Sequence, residues 1–222
     1  MSAAVKKLAK LKGEGEKKSV RRADKKRELA RHAISALGQL GYARTSLRDI
    51  AEESGVSLGV LHYYFEDKIE LISYCVQMYK DEFIDELDLA VGRGASQEAV
   101  VSGFIEGLVA AVEHHASTHT LWYDISAQAQ FDPTFRPAIR QIENALVAMV
   151  GRVLGRLGLD KKSALAVYLG CDGIFRYYLL RQVGGDKEAA ADMRSALADF
   201  FASKVAQPVS TSSKNARMAV RS

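Results

Sequence analysis

Proline is nearly absent from this chain, with three among 222 residues, and there are only two cysteines and one tryptophan. So little proline leaves backbone N–H groups available for long helices, and alternating β-branched runs that would mark strands are scarce. Cys75 and Cys171 lie far apart inside apolar helical patterns, so they read as reduced core thiols of a cytoplasmic protein rather than a disulfide framework. No stretch approaches about 18 uncharged apolar residues, so no membrane span is expected. The first residues lack an apolar core followed by a cleavage site, which argues against secretion. There is no Gly-rich phosphate loop and no nucleophile–base pair, so neither an enzyme nor a cofactor is expected.

What is present is a chain with 48% hydrophobic residues, enough for one or two domains with a real core. Its formal net charge of +4 hides an asymmetry. Residues 1–31 carry twelve Lys and Arg against four acids, whereas the remainder carries nineteen against twenty-three. A basic end on an acidic body suggests a polyanion at one end only.

The organising stretch is Thr45–Lys68, TSLRDIAEESGVSLGVLHYYFEDK. Ser46 with Asp49 three residues on is a capping-box start, and Leu47, Ile50 and Ala51 then share a helical face. Gly55 suits the left-handed residue that ends a helix. Ser57 caps the next helix, with Val56 and Leu61 placed as a hydrophobic staple. In that second helix Leu61, Tyr64 and Phe65 can bury on one side. Leu58, Gly59, His62 and Tyr63 then point the other way, on a face that is almost uncharged and aromatic. A surface helix without a binding task carries Lys and Glu there. The pattern is helix-turn-helix, with the second helix as reader of a DNA groove.

The run from Gly41-Tyr42 through Thr45-Ser46, Asp49-Ile50-Ala51, Gly55-Val56-Ser57, Gly59, Leu61 and Tyr64-Phe65 to Lys68 resembles the DNA-binding domain of TetR-type transcriptional regulators. The match covers about a quarter of the chain and is gap-free. It departs at His62, where such regulators usually have Tyr. The resemblance implies backbone-phosphate contacts at Thr45, Ser46, Tyr63 and Lys68. Arg44 and Arg48 flank the same entrance, and the helix starts at Ser46 and Ser57 present free N–H groups suited to phosphate oxygens. Leu58, Gly59 and His62 are the candidates for base edges, Leu58 through a thymine methyl.

The rest reads as helix throughout, so the expected class is all-α. A basic flexible arm is expected over 1–22, the helix-turn-helix domain over 23–68 with its first helix from about Ala23 to Leu40, a helical effector-binding and dimerisation domain over 69–205, and a disordered tail over 206–222. Within the third segment, helices are expected over 96–116, His119–Gln130, Asp132 to about Leu157, Lys161–Val183 and Asp186 to about Lys204. The Lys161–Val183 helix is apolar almost all round, with Gly170 and Gly173 permitting close helix approach. With the final helix it suits a four-helix dimer interface, which is where TetR-type regulators dimerise. A two-fold dimer implies a palindromic operator in double-stranded DNA.

Trp122, Tyr123, Asp124, Gln128, Asp172, Arg176, Tyr177 and Tyr178 mix aromatic and polar character inside the expected bundle and are the candidates to bind a small-molecule inducer. Asp-Ile-Ser-Ala-Gln after Trp122-Tyr123 resembles the betaine-responsive branch of the TetR-type regulators. His114, His115 and His119 cluster, with the latter two at a spacing that can hold a metal on a helix, but no Cys or carboxylate set completes them, and no metal is expected. The expected function is a ligand-responsive repressor. The alternative is a sequence-tolerant architectural DNA binder that relies on the basic arm.

Overall fold

A computed structural model describes the backbone of residues 3–205 and the side chains of residues 17–204; the expected tail at 206–222 lies outside the described residues. The elements are α1 (Ala3–Leu40), α2 (Leu47–Glu53), α3 (Leu58–Tyr64), α4 (Lys68–Gly92), α5 (Gln97–Phe131), α6 (Arg136–Arg156), α7 (Ala164–Val183) and α8 (Ala189–Val205). Single 3-10 turns at Pro133–Phe135 and Lys161–Ser163 lead into α6 and α7. The described residues contain no strand.

Two boundaries differ from the sequence reading, both because no breaker stands where a break was expected. Helix α1 continues through the basic segment to Ala3, since Ala, Lys, Leu and Glu dominate there and proline is absent. The two helices expected around residue 117 are one, α5, bent at His115 with φ −131° and ψ 25°. The sequence between Ala116 and His119 holds neither Gly nor Pro, so the chain kinks rather than stops.

The chain forms two compact units. One comprises the residues up to Ile84 together with His115–Asn144; the other comprises Asp85–His114 and the chain from Ala145 onward. The division therefore falls inside α4, α5 and α6.

In the first unit, Leu29, Ala30 and Ala33 of α1 close over Ile50 and Ala51 of α2, Leu61 and Phe65 around α3, and Leu71 and Cys75 of α4, all buried in one cluster. Small alanines on α1 let the short helices α2 and α3 approach closely. The Cys75 thiol donates to the Ala30 carbonyl at 3.4 Å, and its complete burial pushes its pKa far up, so it is an inert core thiol.

In the second unit, α4 and α5 cross where α5 carries glycines. A Cβ at Gly103 would stand 2.9 Å from the Ala90 carbonyl oxygen, and one at Gly107 would stand 2.5 Å from Leu87. A Cβ at Gly170 of α7 would likewise stand 2.5 Å from the Phe200 ring of α8, whereas one at Gly173 would have open space. Helix ends here are capped by side chains from neighbours. Arg156 donates to the carbonyls of Val91 and Gly94, at 2.5 and 2.6 Å, and Gln97 donates to Leu157 at 2.9 Å. These bonds cap carbonyls at the C-terminal ends of α4 and α6, where a helix runs out of N–H donors; the Val91 carbonyl also accepts the Gly94 N–H at 3.1 Å. Arg194 makes a two-pronged bond to Glu106 at 2.7 and 2.9 Å.

Candidate nucleic-acid interface and the helical body behind it

The start of α2 is locked by a complete capping box. The Ser46 hydroxyl oxygen accepts the Asp49 N–H at 3.2 Å, and Asp49 accepts the Ser46 N–H at 2.7 Å. The hydroxyl and amide of Ser46 together hold the Asp49 carboxyl below the usual carboxylate range. Gly55, at φ +63°, makes the left-handed turn that other residues adopt only with strain. Ser57 then caps α3 by accepting the Val60 N–H at 3.3 Å.

This frame fixes which side of α3 is hidden. Leu61 and Phe65 are buried, while Leu58 and Tyr64 pack half-buried on the same core. Gly59, Val60, His62 and Tyr63 face solvent, with Tyr63 61% exposed. Leu58 is thus partly inside, and Val60, which the sequence reading left out, shares the outer face. A Cβ at Gly59 would meet nothing closer than the Ser57 hydroxyl oxygen at 3.8 Å. No packing within the chain therefore requires a glycine at this helical position, although a glycine there costs about 0.5–1 kcal/mol relative to alanine.

Arg48, Ser46 and Ser57 stand exposed at the same entrance. Arg44 is exposed too, with its Nε donating to the Leu40 carbonyl at 3.0 Å. Two other expected phosphate contacts have work inside the module. Thr45 is 2% exposed and donates its hydroxyl to the Gly41 carbonyl at 2.8 Å. Lys68 donates to the Tyr42 carbonyl at 2.7 Å, and its ammonium lies 4.1 Å from the Tyr42 ring centre. Partial burial lowers the Lys68 pKa, with Asp124 and Asp49 opposing that shift.

Tyr42 is held from a second side. Its N–H donates to the Asp124 carboxylate at 3.0 Å, and its ring meets the buried Phe135 edge-on, centroids 5.6 Å apart. Asp124 belongs to the second half of α5, so the turn between α1 and α2 is tied by one carboxylate to the helical body.

The inducer candidates fall into two groups. Trp122 is buried on α5, with Tyr123, Asp124 and Gln128 half-buried nearby along the helix, all in the first unit. Asp172, Arg176 and Tyr177 belong to α7 in the second unit, where Asp172 and Tyr178 are half-buried and Arg176 and Tyr177 exposed. Beside Trp122 the ammonium of Lys80, itself 4% exposed, lies 4.9 Å from the Trp122 ring, 5.2 Å from Phe83 and 5.5 Å from Tyr79. Such cation–ring contacts strengthen when water is excluded. His119 packs edge-on to Phe83 at 4.8 Å and Tyr79 at 5.9 Å. Burial, then Lys80 and His115, push its pKa well below the ordinary histidine value. His114 and His115 are exposed while His119 is buried. Among the described residues no group of three or more His, Cys, Asp or Glu is placed to hold a metal ion.

The second unit contains a cavity of about 470 Å³ lined by apolar Val101, Ile105, Leu157 and Phe201 and by polar residues that include Glu106 and Arg194. On α7, Leu165, Leu169, Leu180 and Val183 form an exposed stripe at helical spacing, each more than half exposed, with Tyr177 beside it.

The sequence family described as "Bacterial regulatory proteins, tetR family" matches residues 29–75, and "Tetracyclin repressor-like, C-terminal domain" matches residues 95–203. The chain belongs to the TetR family. Its similarity to the HTH-type transcriptional regulator BetI of Brucella anthropi is 26% identity over 184 residues, covering 80% of this chain and 92% of BetI. The HTH-type transcriptional regulator PksA of Bacillus subtilis is 24% identical, covering 74% and 83%. Among solved structures, a TetR transcription regulator from Haloarcula marismortui superposes with a TM-score of 0.69 at 21% identity, covering 82% of this chain and 98% of that one. The regulator FadR of Bacillus subtilis, solved with stearoyl-CoA, gives a TM-score of 0.64 at 16% identity, covering 77% and 95%. These structures share the fold of this TetR-family chain.

Sequence reasoning on this TetR-family chain placed Tyr79 and Phe83 on an apolar helical stripe and missed Lys80 between them. A usable signal existed: Lys80 falls among the apolar positions Val76, Tyr79 and Phe83, where a charge needs a reason. The cavity had none, because its apolar wall and the Glu98, Glu106 and Arg194 side chains that also line it come from segments far apart in sequence. No described helix is long and apolar enough to cross a membrane.

Proposed function

We propose that this TetR-family chain is a ligand-responsive transcriptional repressor, acting in the cytoplasm as a homodimer on a palindromic operator and released by a small-molecule inducer. The outer face of α3 carries the reading. Gly59, His62 and Tyr63 stand clear of the core on a short helix whose start and entry turn are rigidly capped. A glycine without internal justification at its second position lets a nucleic-acid backbone or base edge come close. His62 donates to a base acceptor or phosphate, Tyr63 to a phosphate, and the half-buried Leu58 offers its outer methyls to thymine. Arg44, Ser46, Arg48 and Ser57 take phosphates at the rim. Thr45 and Lys68 serve this face by holding the turn behind it, and the backbone at their helix starts remains the part available to DNA.

Dimerisation falls to the exposed apolar stripe of α7, flanked by Arg176 and Tyr177, together with α8. A stripe of this kind on a lone chain would expose apolar surface without purpose. Two readers related by a two-fold axis then address two half-sites, which multiplies a weak contact.

Inducer reception is assigned to the α5 group, Trp122, Tyr123, Asp124 and Gln128. A ligand engaging Asp124 competes with the Tyr42 N–H for the same carboxylate, and so favours a state in which the turn before α2 is no longer held. That is a differential interaction with two states, as effector coupling requires.

Selection of random duplexes by the purified protein, followed by sequencing, tests the reading directly. The expected product is an inverted repeat whose binding weakens at least tenfold in Tyr63→Ala. Enrichment of no common sequence, or an unaltered affinity in that variant, would refute it.

A further inference from the structure

Residues 17–28 of α1 are helix without a core to explain it. At 1.5 Å per residue the 38 residues of α1 extend about 57 Å, yet among its described side chains burial begins only at Leu29. Between Lys17 and Glu28 no residue is buried, and Val20 is 59% exposed. The segment is instead strongly basic: Lys17, Lys18, Arg21, Arg22, Lys25, Lys26 and Arg27 against Asp24 and Glu28.

These charges are not spread evenly around the helix. At about 100° per residue, Lys18, Arg21, Arg22 and Lys25 fall within one arc of about 100°, with both acids outside it. Two basic residues of the segment have local partners. Lys25 pairs with Glu28 at 2.7 Å, and Lys26 pairs with Glu70 at 2.9 Å while lying over the Phe65 and Tyr74 rings. Lys18 and Arg21 make no ion pair with an acid among the described residues. The direction of the basic side is fixed by Arg22, whose guanidinium lies 5.3 Å from the centre of the Tyr63 ring. Tyr63 belongs to the outer face of α3. The basic side of α1 and the reading face of α3 are thus neighbours, joined by a cation–ring contact.

We infer that the first half of α1 is a second DNA-binding element, which lies along the phosphate backbone of the duplex flanking each half-site. Lys18 and Arg21 contact those phosphates, and Arg22 supports Tyr63. The inference rests on the operator-binding reading above and extends it to base pairs that α3 does not reach. Lys17 to Glu28 cover about 17 Å of helix axis, comparable to about five base-pair steps. A preformed helix delivers its charges without the ordering entropy that a disordered basic tail loses on binding.

The test uses duplexes carrying the selected inverted repeat, either trimmed to the repeat or extended by about ten base pairs of arbitrary sequence on each side. Fluorescence anisotropy is measured across a salt series. The wild-type protein should bind the extended duplex about tenfold more tightly at low salt. The variant Lys18→Ala with Arg21→Ala leaves Tyr63 and its Arg22 contact untouched. It should bind the trimmed duplex as the wild type does and lose the gain from extension. On the extended duplex its slope of log K against log salt should fall by about 3.6, since two lost contacts in each of two subunits make four and each phosphate contact contributes about 0.9. Circular dichroism and the selected sequence should be unchanged. Equal wild-type affinity for both lengths, or equal loss by the variant on both, would overturn the inference and leave sequence-specific binding standing. A wild type that selects no sequence would instead overturn the operator reading, and this inference with it.

Discussion

The Asp124 carboxylate accepts the backbone N–H of Tyr42 at 3.0 Å, across 82 positions of sequence. Lys68 holds the carbonyl of the same tyrosine at 2.7 Å. One residue at the entrance to the reader is therefore gripped at both its backbone groups, by an anion from α5 and a cation from α4. Asp124→Ala should lower the unfolding free energy by about 1.5–3 kcal/mol, the range for hydrogen bonds to charged groups. Asp124→Asn keeps an acceptor and should lose less. Urea titrations of the three proteins order them directly. The reverse order, or no loss in the alanine variant, would show that the bond holds nothing.

Gly59→Ala should separate folding from binding. Helix propensity should raise stability by about 0.5–1 kcal/mol, because the new methyl meets only the Ser57 hydroxyl oxygen at an ordinary contact distance. Operator affinity should fall at least tenfold, as the methyl stands where the duplex approaches. Thermal melts and gel shifts on one preparation check both halves. A stabilised variant with full affinity would mean that Gly59 faces no partner.

Leu169→Glu tests the proposal that the exposed stripe of α7 forms a dimer. Leu169 is 58% exposed in the single chain, so the fold of the chain itself should change by no more than about 0.5 kcal/mol. Sedimentation velocity should show a monomer at concentrations where the wild type is dimeric. Operator binding should then drop steeply, because the two half-sites are no longer read together. A dimeric variant would move the interface elsewhere.

His119 gives the fold a defined sensitivity to acid. Its pKa is depressed well below 6.5 in the folded protein, chiefly by burial and further by Lys80 and His115. The unfolded chain therefore takes up a proton below about pH 6.5 that the folded chain refuses. Stability is complete above that value and falls as the pH drops towards the folded pKa, by up to about 1.4 kcal/mol per pH unit. Denaturant midpoints between pH 7.5 and 5 should show this slope in the wild type and a flatter profile in His119→Phe. Equal slopes would place the proton uptake on other groups.

Local chemistry made the helix-turn-helix geometry legible from sequence. The capping box at Ser46 and Asp49, the left-handed turn at Gly55 and the Ser57 cap are each written within a few residues, and so is the split of α3 into a buried and an exposed side. The Asp124–Tyr42 bond was not legible. Asp124 announced itself as a polar residue in a helical body, but a partner 82 positions away leaves no periodic trace. The basic segment reads as an arm from sequence because it is lysine-rich, low in large apolar groups and holds two glycines. Helix propensity and continuity with the packed end of α1 prevail there over the missing core. The bend at His115 had no breaker to mark it. The close crossings at Gly103 and Gly107 followed the same rule as Gly170, yet only the last lay in a helix apolar enough to draw attention.

Trp122, the chain's lone tryptophan, sits 3% exposed two residues before Asp124, with the Lys80 ammonium 4.9 Å from its ring. Intrinsic emission excited at the red edge therefore comes from a single indole under a fixed positive field. That makes the protein its own optical gauge: a shift in colour or intensity on adding a compound would register rearrangement beside the α5 anchor of the reader, with no dye attached.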